Sequence, residues 1–98
     1  MSAIVGDIEA TSDGLLFQCE ISERIIQCGI FEQALRDLLD FHRDNSSEDE
    51  IYRAVLSEIE RIVTAKFQSR RFEDNGWLVV WPVDLLRYGY WRRVHSAA

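Results

Sequence analysis

The sequence predicts an α+β domain: an antiparallel sheet built from two β-hairpins, with two α-helices packed on one face, in the order β-hairpin, α, α, β-hairpin. Three observations predict it. Apolar residues alternate at period two between Leu15 and Ile30. The spacing turns helical from Phe31 to Phe67. Asn75-Gly76 then stands between two strand-like runs. Helices placed between two hairpins cover one face of the sheet that the hairpins form.

Thr11-Ser12-Asp13-Gly14 reads as a turn, because an Asp-Gly step supplies positive φ readily. Before it, Ile4 to Glu9 is a candidate short edge strand. After it, Leu15, Phe17, Cys19 and Ile21 share one face, and Gln18, Glu20 and Ser22 the other. Beyond Ser22-Glu23-Arg24 the alternation resumes, with Ile26, Cys28 and Ile30 opposed to Ile25, Gln27 and Gly29. An antiparallel pairing with an odd index sum joins the two apolar sets. A sum of about 47 sets Ile21 against Ile26, Cys19 against Cys28 and Phe17 against Ile30, and slips by two residues keep the same faces.

Phe31, Leu35, Leu38, Leu39 and His42 form a helical stripe that Asp44-Asn45-Ser46-Ser47 breaks. Ser47 with Glu50 is a capping-box pattern. It opens a second helix with Tyr52, Val55, Leu56, Ile59, Ile62, Val63 and Phe67 as apolar positions, ending near Phe67. Glu48, Asp49 and Glu50 at its start and Lys66 near its end suit the helix dipole. Arg70 to Asp74 and Trp77 to Trp81, joined by Asn75-Gly76, read as the second hairpin, which Pro82 stops. Asp84 to Arg87 reads as one helical turn, and Tyr88 to Ala98 as a tail or a last edge strand.

This order of elements resembles a small bacterial family of uncharacterised α+β proteins, the domain of unknown function numbered fourteen eighty-eight. The residues that carry the resemblance are Phe17-Gln18-Cys19, then Ile26-Gln27-Cys28-Gly29-Ile30 leading into Ala34-Leu35-Arg36-Asp37-Leu38, then the helix ending Ile62 to Lys66-Phe67, and finally Asn75-Gly76 with Asp84-Leu85. They run from about Leu15 to Leu86. Members usually begin with a strand containing Trp-Asp, from which residues 1–13 depart. The family implies a fold and brings no activity, so no catalytic residue is carried over.

Ninety-eight residues make a single domain, 1–98, in which 1–13 and 88–98 are expected to be loosely ordered ends. Met1 to Asp7 has neither a basic segment nor an apolar stretch of signal length, and no run approaches the roughly 18 apolar residues that would cross a bilayer. Two cysteines are too few for a disulfide framework. Cytoplasmic residence with reduced thiols, and no membrane partner, is therefore expected.

Charge is placed unevenly. The net −6 divides into −10 over residues 1–60 and +4 over residues 61–98, and all three tryptophans, Trp77, Trp81 and Trp91, lie in the basic part. No catalytic site is expected. Gly-x-Ser-x-Gly is absent, neither His42 nor His95 stands in a motif, and the carboxylates fall at helix starts or on polar faces. Cys19 and Cys28 with two histidines fall short of the spacing of a zinc site. They read as core thiols, and no metal or other cofactor is expected.

The candidate binding residues are Arg87, Tyr88, Tyr90, Trp91, Arg92 and Arg93, with Arg70 and Arg71 possible neighbours. Tyr, Trp and Arg are the residues enriched at protein interface hot spots, and the same set binds single-stranded nucleic acid. Three readings follow. The aromatics pack the core edge while the arginines pair with acidic helices; or the end meets a protein partner, a second copy included; or it binds a single strand. A net −6 weighs against the last, because phosphate binding draws on positive charge. The function expected is a non-enzymatic protein-interaction module, with local single-stranded nucleic-acid binding as the alternative.

Overall fold

A computed structural model of the chain describes residues 2–43 and 47–88. Its elements run β1 (Ser2–Thr11), β2 (Gly14–Ile21), β3 (Arg24–Phe31), α1 (Glu32–Phe41), α2 (Glu48–Gln68), β4 (Leu78–Val80) and α3 (Pro82–Arg87). The class is α+β, and the four strands form one mixed sheet in the order β1-β2-β3-β4.

The local signals become elements where the backbone chemistry is self-contained. Thr11 Oγ1 accepts from the Asp13 amide and donates to the Gly14 carbonyl, which closes the first turn. Gly14 has φ +148° beside β3, where a Cβ would lie 1.9 Å from the Ile30 carbonyl oxygen. Only glycine fits there. Ser22 and Glu23 take φ of +52° and +66°, the two positive values of a type I′ turn. The Ser47 hydroxyl accepts from the Glu50 amide and starts α2. At the other end of α2 the Arg71 amide donates to Lys66 and the Arg70 amide to Phe67. With Arg70 at φ +57°, these bonds form a Schellman cap.

Four expectations are corrected. The β2–β3 register has an index sum two lower than expected: Cys19 faces Ile26, Cys28 faces Phe17, and Ile21 faces Arg24 across the two-residue turn. The slip keeps every side chain on its face, so the alternation does not oppose it. The first strand exceeds Ile4–Glu9, with a register shift between Val5 and Glu9.

Next, 70–81 is not an antiparallel hairpin. Asn75-Gly76 does make a tight turn, in which the Gly76 amide donates to Glu73, the Glu73 amide to Trp77, and the Trp77 amide to Asn75 Oδ1. Arg71 to Glu73, however, are not a strand, and β4 pairs with β3 in parallel. The two helices form the crossover that such a pair needs. Arg24, the first residue of β3, lies over the Phe67 ring near the end of α2. The chain therefore leaves α2 near the start of β3 and runs alongside it.

Finally, the helical turn at Asp84 is a third helix rather than a turn alone. Pro82 fits its first position, and Asp84 Oδ2 accepts from the Trp81 amide.

The core lies between the helices and one face of the sheet. Phe17, Cys19, Ile21, Ile26, Cys28, Ile30, Leu78 and Val80 from the strands meet Ala34, Leu38, Val55, Ile59, Ile62, Val63 and Leu85 from the helices. Leu39 and Tyr52, expected on the apolar stripes, are exposed. Glu60 Oε1 accepts from the Ile4 amide and ties β1 to α2.

Candidate interaction surface

The structure divides the expected basic site. Arg70 and Arg71 are exposed at the end of α2, and Arg87 is exposed at the end of α3. Tyr88 is half-buried against the core, and its carbonyl accepts from Arg61. Arg61 lies about 10 Å along the helix from Gln68, the last residue of α2. Tyr90, Trp91, Arg92, Arg93 and His95 lie outside the described residues.

Three of the described arginines are ion-paired, whereas Arg24, over the Phe67 ring, and Arg53, exposed on α2, are not. Arg36 pairs with Glu32, Arg43 with Asp40 and Arg61 with Glu58, each within one turn of its own helix or its end. Arg70, Arg71 and Arg87 make no ion pair among the described residues. Arg70 also holds the left-handed position of a helix cap, which glycine fills at lower cost.

Lys66 is placed differently from the other cations. Although it was expected at the dipole end of α2, it is buried, with its ammonium 2.7 Å from Asp84 Oδ2 and 2.6 Å from the Val79 carbonyl. Asp84 is buried too, and its Oδ2 also accepts from the Trp81 amide. One charge pair thus ties α2, β4 and α3 together. The signal in the sequence was weak, since a lysine on a helix and an aspartate after Pro82 each have an ordinary exposed use.

The thiols are fully buried and free. Contact with Cys19, and then burial, push the Cys28 thiol well above its ordinary range. The His42 ring lies edge-on to Phe41, and its Nε2 is a buried atom without a hydrogen-bond partner among the described residues. Among the described residues no three His, Cys, Asp or Glu side chains gather as a metal would require. No described helix is long and apolar enough to cross a membrane. A hollow of about 530 Å³ between α1 and the start of α2 presents Asp40, Arg43, Glu48 and Asp49 beside Tyr52.

The surface that the sequence reading missed is the sheet face turned away from the helices. Leu78 and Val80 point into the core, so Trp77, Val79 and Trp81 point the other way. With Leu16, Gly29 and Phe31 they line a groove of about 190 Å³. Trp81 is 38% exposed, stacks at 5.3 Å on Phe31, and donates its indole N–H to Glu73 Oε2. Gly29 forms the floor. A Cβ there would come within 3.3 Å of the Leu15 carbonyl and the Leu16 side chain. A second hollow of about 320 Å³ adjoins the groove through Leu16 and Trp77, with Asp7 and Glu9 at its side. Asp13 borders the groove, and no lysine or arginine lines either hollow. Period-two spacing of Trp77, Val79 and Trp81 was the available signal. Its meaning depended on which strand lay beside β4.

No family model, curated protein or solved structure matches this chain.

Proposed function

We propose that this chain is a non-enzymatic, cytoplasmic protein-interaction module, akin to the bacterial family it resembles, with its Arg/Tyr/Trp C-terminal end as the contact surface. The observation that carries this reading is the exposure of Arg70 and Arg71 at the end of α2 and of Arg87 at the end of α3, none of them in an ion pair among the described residues. In a chain of net −6 such guanidiniums have acidic side chains to spare as partners, so their exposure favours an external contact. Tyr88 stands apart from this reading, because it packs on the core. Single-stranded nucleic acid is the weaker alternative: the aromatic groove is bordered by carboxylates, which repel phosphate.

The test compares the full chain with Trp91→Ala, Arg92→Ala, Arg93→Ala as a triple variant, each immobilised as bait and probed with cell lysate at low and high salt. A partner held by the wild type, lost by the variant and weakened by salt supports the reading. Identical captures by both baits overturn it.

A further inference from the structure

The groove on the open sheet face and the basic end of the chain have complementary chemistry. The groove offers the rings of Trp77, Trp81 and Phe31 with Asp7, Glu9 and Asp13 around them, and no lysine or arginine among the residues that line it. Arg87-Tyr88-Gly89-Tyr90-Trp91-Arg92-Arg93 offers three guanidiniums, Arg87, Arg92 and Arg93, with the rings of Tyr90 and Trp91 between them. Arginine over a tryptophan face is attracted by the ring quadrupole, and acidic residues beside that face add Coulomb attraction and orientation. We infer that the groove of Leu16, Gly29, Phe31, Trp77, Val79 and Trp81 is a socket for the C-terminal end of a second copy of this chain. The inference rests on the proposed interaction reading and names its partner.

The occupant is a second copy because the two surfaces are complementary and a contact between copies engages the whole basic end. Tyr88 packs against the core, and its carbonyl is held by Arg61 of α2. An end that folds back onto its own copy leaves sedimentation independent of concentration, which overturns the inference. The contact joins unlike surfaces, head to tail, so copies add in series.

Sedimentation velocity on the full chain tests this with two charge reversals. One carries Asp7→Lys and Glu9→Lys, both at exposed positions beside the groove; the other carries Arg92→Glu and Arg93→Glu. The wild type is expected to associate at low salt and to weaken at high salt, where screening shortens to a few ångströms. Each reversed chain alone is expected to associate roughly tenfold or more weakly. Their mixture is expected to recover association, since each reversed surface then meets its opposite. A control, Glu48→Lys with Asp49→Lys at the start of α2, makes the same charge change away from the groove and is expected to behave as the wild type.

A wild type that stays monomeric at every concentration and salt overturns the inference. So does a mixture that fails to recover, or association lost in the helix control but kept in the groove reversal. In that last case loss of association in the tail reversal would still uphold the C-terminal end as a contact surface. Association that survives the tail reversal overturns both.

Discussion

At the scale of the residue, the Lys66–Asp84 pair is the most consequential. Two buried charges are costly to desolvate, and here the cost is offset by their mutual contact, the Val79 carbonyl and the Trp81 amide. Removing one partner leaves the other charge buried alone. Asp84→Ala is therefore expected to destabilise by about 3–5 kcal/mol, and Lys66→Met combined with Asp84→Leu by much less; urea unfolding measures both. An Asp84→Ala loss below about 1 kcal/mol would mean that the pair is not buried in solution. Cys19 and Cys28 give a labelling test: both are buried in apolar surroundings, so a thiol reagent should label neither cysteine in the native state. Rapid labelling of either would remove the inert-core reading.

At the scale of the element, the β2–β3 hairpin turns through two residues that prefer other backbone regions. Ser22 and Glu23 both hold positive φ, where a non-glycine residue costs roughly 1–2 kcal/mol. Ser22→Asn with Glu23→Gly supplies the residues a type I′ turn favours, and is expected to raise stability by about 1 kcal/mol in chemical denaturation. No gain would imply a different turn. The cap of α2 allows a related change with a functional readout. Arg70→Gly relieves the left-handed strain and should stabilise by about 1 kcal/mol. Where Arg70 takes part in partner binding, the same variant should bind more weakly. Both elements were legible in outline. The Asp13-Gly14 turn, the capped start at Ser47 and the face assignment of β2 and β3 follow from neighbours in sequence. The register did not follow, because a two-residue slip leaves every face unchanged.

At the scale of the whole molecule, the charge asymmetry takes on a geometry. Acidic residues border the open sheet face, while exposed arginines stand at the ends of α2 and α3. A single-stranded oligonucleotide would meet repulsion over the only described aromatic groove of the sheet. Fluorescence anisotropy with a labelled oligonucleotide is therefore expected to register no binding at physiological salt. Saturable binding that falls steeply with added salt would restore the nucleic-acid alternative. Amide exchange tests the sheet: Leu78 to Val80 should exchange as slowly as the centre of β3, its parallel neighbour. Rapid exchange there would detach β4.

The sequence by itself determined the faces of β2 and β3, the starts and ends of the long helix, and the glycine at position 14. Each depends on period, capping or backbone sterics within a few residues. Only the tertiary structure decided that β4 runs parallel to β3, that Lys66 is buried against Asp84, and that Trp77 and Trp81 flank Gly29 and Leu16 on an uncovered face. A parallel strand and an antiparallel one show the same alternation, so the direction of β4 was set by where α2 ends, beside Arg24 and Phe67. Burial of a charge depends likewise on groups supplied from distant segments. The candidate socket was hidden for the same reason: its walls come from β2, β3 and β4, and neither hydrophobicity nor charge along the chain reports which strands become neighbours.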